Sequence, residues 1–356
     1  MHGFDDLSQT RSPNIGRMLD AARLQSIISN SLRPIAEIME EKAVTEIMVT
    51  ADGRVWVERR GSIERSDIVL SETDRRLAIM AVAKHSGAEG SSTGKDIKAG
   101  TQDAVVSTGV GGLRFAGAIK GVDARGTTLA IRKHLDPEER PTLEQLIEWG
   151  MLSRDTADLL VRKIVVERQN CVFAGPTSGG KTTLANAVLM HLPSNERIGL
   201  IEDAREMALR VEHKNCYLAA PASGLTAKVL VQHAMRERYD RLILSETRGD
   251  DTYDLLRALS SGHNGSVTTL HASSAAGALS TLELLFQMSL PPGVQMSPEA
   301  SQRYIAACIN LVVFCSRSYV RQDDGSDRSF RRVSEIVTVK GANSGEYDLE
   351  YDYRED

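Results

Sequence analysis

Cys171-Val172-Phe173-Ala174-Gly175-Pro176-Thr177-Ser178-Gly179-Gly180-Lys181-Thr182 is the stretch that decides the fold. Its first four residues read as a buried strand, and the next eight fit the pattern G-x-x-x-x-G-K-[ST]. Leu184, Ala187, Val188 and Leu189 continue at helical spacing, so the loop joins a strand to a helix. That context gives the residue types a chemical purpose. Glycines let backbone N–H groups face a phosphate, the helix start adds positive potential, and Lys181 carries a cation to the β- and γ-oxygens. The Thr182 hydroxyl stands where a phosphate-bound Mg²⁺ takes a ligand. Gly175 through Thr183 is therefore read as a nucleotide cradle, with ATP and Mg²⁺ as the expected cofactors.

Outward from the loop, strand-like and helix-like runs alternate. Ile198-Gly199-Leu200-Ile201 and Leu242-Ile243-Leu244 read as short apolar strands, Ser266-Val267-Thr268-Thr269-Leu270 as a further short strand, and Asp254 to Ser261 as a helix. Such alternation predicts a doubly wound α/β domain. Hydrolysis also needs a carboxylate at the end of a neighbouring strand, to hold Mg²⁺ through water or to prepare the attacking water. Glu202 and Asp203 end one strand, and Glu246, with Arg248 beside it, ends another. One acidic residue after a strand is usually a solvated cap; two in one domain point to the reaction. His271 ends the strand that follows Gly262-His263-Asn264-Gly265, the position of a γ-phosphate sensor in a nucleotide switch. His263 precedes that strand and is the weaker candidate.

Upstream, Thr142 to Leu152 and Ser153 to Glu167 each begin at a hydroxyl cap with an acidic residue soon after, so both read as helices. Leu135-Asp136-Pro137-Glu138-Glu139-Arg140-Pro141 is charged, aperiodic and proline-bearing, and reads as a linker. The expected division is a flexible tail over 1–16, a mixed α+β domain over 17–135, a linker over 136–141 and the α/β domain over 142–356. Within the first domain a helix begins near Met18 and is broken near Pro34, and Thr45–Val49 and Arg54–Glu58 flank an Asp52-Gly53 turn as a hairpin. A helix over Glu72–Lys84, a glycine-rich loop over Gly87–Gly94 and strands near Val105, Leu113 and Leu129 follow. The chain ends in a hairpin from Glu335–Val339 and Tyr347–Tyr353.

Composition narrows the function without naming it. The longest apolar run, Cys308 to Cys315, is interrupted by Asn310 and falls far short of the roughly 20 residues of a membrane span. Cys171, Cys216, Cys308 and Cys315 are scattered without a Cys-x-x-Cys pair, which argues against a zinc module or a disulfide scaffold. Forty-three basic against forty-eight acidic residues, a net charge of −5, disfavour a chain whose main work is gripping nucleic acid.

The set Gly-x-x-x-x-Gly-Lys-Thr, Ile201-Glu202-Asp203, Leu244-Ser245-Glu246-Thr247-Arg248-Gly249 and Gly262-His263-x-Gly265-Ser266-x-x-Thr269-x-His271 resembles the traffic ATPases of type II and type IV secretion. There the four blocks are called Walker A, Asp box, Walker B and His box. Val44 to Glu58 and Leu129-Ala130-Ile131-Arg132-Lys133 are similar to the conjugative-transfer (TrbB-like) branch. The resemblance implies a RecA-like P-loop NTPase domain behind a smaller α+β domain. It also implies that Lys181 and Thr182 take the phosphates and Mg²⁺, and that Glu202 positions water while Glu246 holds Mg²⁺ through water, two roles that could be exchanged. His271 would sense the γ-phosphate, and Arg114 and Arg132 would reach the phosphates from the N-terminal domain. Three departures stand out. Ser245 occupies a place where glycine is common, and the loop reads Thr177-Ser178-Gly179-Gly180-Lys181 where Thr-Gly-Ser-Gly-Lys is usual. The segment after Phe115 also lacks the usual Pro-Pro-Val.

The implied protein is a cytoplasmic motor at the inner membrane, a homohexameric ring that binds inner-membrane components of a secretion or conjugation channel and no nucleic acid stably. Pilus-assembly or type II export motors are the alternative within the family; missing cysteine pairs weigh against that branch. A nucleic-acid-translocating RecA-like motor and a non-hydrolysing scaffold are alternatives of other classes. An aromatic content of 4% counts against the first of these.

Overall fold

The computed structural model describes residues 13–59, 62–88, 104–110, 113–133, 140–221, 224–321, 327–343 and 345–355. Residues 1–12 of the expected tail, 136–139 of the expected linker and 89–94 of the expected glycine loop lie outside them. The chain divides into two compact units, Met1–His134 and Leu135–Asp356.

In the first unit α1 (Pro13–Ser31) starts ahead of the Met18 read from the apolar spacing. A 3₁₀ turn (Arg33–Ile35) then interrupts the helical path before α2 (Ala36–Glu40). Pro34 is the reason, since it offers no N–H to the helix ladder. β1 (Val44–Val49) and β2 (Arg54–Arg59) form the expected hairpin, with Gly53 at a φ of 89° in its turn. β3 (Ser62–Val69), α3 (Glu72–Ala88), β4 (Val105–Val110), β5 (Leu113–Ala118) and β6 (Thr128–Lys133) complete the unit. Its antiparallel six-stranded sheet runs β3-β2-β1-β6-β5-β4. Ile47, Val55, Val57, Phe115 and Ile131 pack with Ile79 and Val82 of α3 as its core. β3 escaped the sequence reading because it is an edge strand with a mostly polar, exposed run.

The second unit opens with α4 (Leu143–Glu148) and α5 (Arg154–Leu160). Thr142 caps α4 in a reciprocal box, and its partner is Gln145, not the acidic neighbour Glu144. Ser153 caps α5, which runs on as a π-helical turn over Val161–Val166. The elements that follow are β7 (Cys171–Gly175), α6 (Lys181–Leu189), β8 (Ile198–Glu202), β9 (Lys214–Leu218), α7 (Ala227–Ala234), β10 (Arg241–Leu244), α8 (Thr252–Ser260) and β11 (Val267–His271). The unit closes with α9 (Ala275–Ser289), α10 (Pro298–Cys308), β12 (Leu311–Arg321), β13 (Asp327–Asn343) and β14 (Glu346–Arg354).

Its eight-stranded sheet has the order β14-β13-β12-β7-β11-β10-β8-β9, parallel from β12 to β9 and antiparallel from β12 to β14. Alternating side chains feed two cores. Phe173, Leu200 and Ile243 meet Leu184 and Val188 of α6, whereas Val172, Leu242 and Leu244 meet Leu256, Leu279 and Phe286 of α8 and α9. A parallel sheet covered on both faces explains why its strands read as continuous apolar runs. The expected terminal hairpin is β13 and β14, and β12 joins it to the parallel strands. The run Cys308–Cys315 spans the end of α10 and the start of β12, with Asn310 between them.

At the start of β10 the Arg241 guanidinium is wholly buried. It donates to Glu196 at 2.5 and 2.9 Å and to the carbonyls of Ile164, Val165 and Gly265. These contacts anchor the π-helical turn to the sheet. A buried ion pair needs such complete hydrogen bonding to offset desolvation.

Candidate functional site

The phosphate-loop sequence lies between β7 and α6. Gly175 has a φ of 150°, and a Cβ there would collide with the Cys315 carbonyl of β12, so only glycine fits. Gly179 N–H donates to the Pro176 carbonyl at 3.1 Å and closes the turn. Gly180 begins α6 in the left-handed region at a φ of 89° without a side-chain cap. Ser178 is also left-handed, at a φ of 57°, a conformation that β-substituted residues adopt at a cost. The loop thus presents the first amides of α6, the arrangement that attracts anions.

Lys181 Nζ donates to the carbonyls of Gly175 at 3.0 Å and Pro176 at 2.8 Å, and lies 3.4 Å from His271 Nδ1. An ammonium can only donate, so Nδ1 presents its lone pair and the ring proton sits on Nε2. Nε2 is 3.1 Å from Glu246 Oε1. Glu246 Oε2 in turn accepts from Arg248 Nε and Nη2 at 2.8 and 2.6 Å, and Arg248 Nη1 pairs with Asp203 at 2.7 Å. The ends of β7, β8, β10 and β11 therefore deliver one continuous line of polar contacts: Lys181, His271, Glu246, Arg248, Asp203. The strand order makes this possible, because β7, β11, β10 and β8 are successive neighbours and their C-terminal ends lie side by side.

Two further contacts fix the line. Thr269 Oγ1 donates to the Ser245 carbonyl at 2.7 Å, and the Thr247 N–H donates to the Thr269 carbonyl at 3.0 Å, stitching the segment after β10 to β11. Thr182 and Thr183 are half-buried in the first turn of α6, in register with the loop.

Glu202 stands apart from this line. The residue is only 3% exposed, and Oε1 accepts from the Glu206 and Met207 N–H groups at 2.8 and 2.7 Å. Burial pushes its carboxyl up to about 7, outweighing those two donors and the nearby Arg140 cation. Asn186 of α6 ties the same segment down, accepting from Ala208 N–H at 2.9 Å and donating to the Glu206 carbonyl at 3.0 Å. His263 is a structural residue: it is buried, with Nδ1 2.8 Å from the Ala258 carbonyl before the start of β11. Arg114 and Arg132 lie in the other unit, where they are register partners on β5 and β6.

The sequence reading missed Asn186 and Arg331, whose Nε donates to the Ser178 carbonyl at 2.7 Å. Asn186 sits on the helix after the loop and could have been singled out as a polar residue on an apolar face. Arg331 carries no local signal, because its partner is far away in sequence.

Residues 29–334 match the model of a family described as type II/IV secretion system protein. The chain belongs to that family. Conjugal transfer protein TrbB of Rhizobium radiobacter is 28% identical over 316 residues, covering 88% of this chain and 89% of that one. Type IV secretion system protein PtlH of Bordetella pertussis is 37% identical over 171 residues, 46% of this chain and 50% of its own. Among solved structures, the ATPase DotB of Yersinia pseudotuberculosis shares the fold at a TM-score of 0.54 and 15% identity, over 95% of this chain and 82% of that one. This secretion-family membership agrees with the resemblance carried by the four motif blocks. Among the described residues no helix is long and apolar enough to cross a membrane.

Proposed function

We propose that this chain is the ATP-hydrolysing motor of a conjugative or type IV secretion apparatus. The observation that carries the reading is the line from Lys181 through His271 to Glu246, which starts at the phosphate loop and runs along adjoining strand ends. Phosphate oxygens would replace the Gly175 and Pro176 carbonyls as acceptors for the Lys181 ammonium, freeing the loop to close on them. His271 would then feel the γ-phosphate through that ammonium and pass the change to Glu246 through its Nε2 proton. Glu202, with a carboxyl near neutrality, suits a base that takes a proton from the attacking water as the β,γ-bridging P–O bond breaks to ADP and phosphate. Arg114 and Arg132 are proposed as the arginines that stabilise charge on the phosphates.

Mg²⁺ fits the donor set. Thr182 offers a hydroxyl and Glu246 a carboxylate, both hard oxygen donors. Among the described residues no group of three or more His, Cys, Asp or Glu could cage a metal. Mg²⁺ needs no such cage, since phosphates and water supply most of its ligands. When bound it would neutralise charge on the β- and γ-oxygens.

The working form proposed is a homohexameric ring, cytoplasmic, held at the inner membrane by channel components and without stable nucleic-acid binding. The test measures ATPase turnover and assembly size together for wild type, Lys181→Ala and Glu246→Gln. Both variants should lose turnover by at least about a hundredfold while keeping the ring. A monomeric wild type, or full turnover in Lys181→Ala, refutes the proposal. Strong stimulation by single-stranded DNA with steep salt dependence would instead favour a nucleic-acid translocase.

A further inference from the structure

We propose that Arg331 is a positioning residue for the phosphate loop, and that the loop depends on it because Ser178 occupies a left-handed position. The inference rests on the nucleotide-binding reading above, and deepens it by assigning the terminal hairpin a part in that site.

Ser178 and Gly180 both have positive φ, at 57° and 89°. Glycine adopts that region freely, whereas a serine held there by its own preferences would relax to negative φ and turn the loop amides away from an anion. Something outside the loop must hold Ser178. The guanidinium of Arg331 does so: its Nε donates to the Ser178 carbonyl at 2.7 Å, a charge-assisted bond to the backbone of the left-handed residue itself. Arg331 is itself fixed, because it lies on β13 paired across from Arg317 of β12.

The same strand braces the loop from a second side. Val333 N–H donates to the Met151 carbonyl at 2.8 Å. The Met151 Cε in turn lies 2.9 Å from where a Cβ on Gly180 would stand. Further along β13, Glu335 accepts from the Ala275 N–H at 2.7 Å, at the start of the helix that follows His271. Residues 331–335 of β13 thus reach the tip of the phosphate loop directly, the glycine that opens α6 through Met151, and the segment leaving the sensor strand. The hairpin is a clamp on the preorganised loop, and preorganisation shows up as nucleotide affinity.

The test is a double-mutant cycle on the full chain with Ser178→Gly and Arg331→Ala, plus Arg331→Met to keep the aliphatic stem. Two readouts are taken: the Kd for a fluorescent mant-ADP probe, and hydrogen exchange of the loop amides without nucleotide. With Ser178 present, removing the guanidinium should weaken mant-ADP about tenfold and speed loop exchange by a similar factor. In the Ser178→Gly background the same removal should cost less than about twofold, because glycine holds the left-handed turn unaided. A merely structural loss in the hairpin would act equally in both backgrounds, and that result overturns the proposal. So does an unchanged Kd and unchanged loop exchange, or failure of both Arg331 variants to fold. If wild type does not bind mant-ADP, the nucleotide reading fails. The exchange cycle still decides whether Arg331 holds the loop.

Discussion

Replacing Glu202 by glutamine should change how stability depends on pH. Its carboxyl, ordinarily at 4.5, is pushed to about 7 chiefly by burial. At about 1.4 kcal/mol per pH unit, that difference corresponds to about 3.5 kcal/mol. The sign follows from proton counting. Between pH 4.5 and about 7 the folded protein holds a proton on Glu202 that the unfolded chain has released. The unfolding free energy therefore falls as pH rises through this window. Glu202 contributes its full share below about 4.5, and that share is gone above about 7, where an ionised carboxylate is left buried. Glu202→Gln removes the titrating group and keeps an acceptor for the Glu206 and Met207 amides. Urea unfolding of both proteins from pH 5 to 8 should show the wild-type advantage shrinking by about 2.5 kcal/mol relative to the variant, because part of the change lies below pH 5. A difference flat to within about 0.5 kcal/mol, or one that grows with pH, would refute the assignment of a raised carboxyl and remove the support for Glu202 as a base.

Arg241→Met should lower stability by about 3–5 kcal/mol, because it strips a wholly buried guanidinium from Glu196 and from the carbonyls of the π-helical turn. Urea unfolding at pH 7 measures it, and a loss below about 1 kcal/mol would mean that Arg168 alone satisfies Glu196. His271→Ala should cut kcat by about a hundredfold by disconnecting Lys181 from Glu246. Steady-state kinetics at saturating ATP would test it, and wild-type kcat in that variant would remove His271 from the mechanism.

Much of the candidate site is legible in the sequence because its chemistry is local. The phosphate loop needs its glycines, lysine and threonine in one unbroken order, and Glu202, Glu246 and His271 each follow an apolar strand that announces itself. The alternation of strands and helices was legible for the same reason, as each strand buried on both faces is a continuous apolar run. Edge elements were not: β3 is polar and exposed, and β9 alternates weakly, so neither carries a periodic signal. In α4 the spacing located the cap at Thr142 yet could not say that Gln145 rather than Glu144 would complete it.

Residue order alone sets out a strand, a glycine-rich loop and a helix, with the residue types of a candidate phosphate cradle. The tertiary structure decided which neighbours each of those residues meets. Glu202 and Glu246 are equivalent strand-end carboxylates in sequence. Folding buries one against backbone amides and leaves the other in a line with His271 and Arg248, because solvent exposure and charged neighbours are set by strand order. Arg331 became part of the phosphate loop in the same way. A hydrogen bond spanning 153 residues has no local pattern to betray it, and the pairing of β13 with β12 and of β12 with β7 brings that arginine to Ser178.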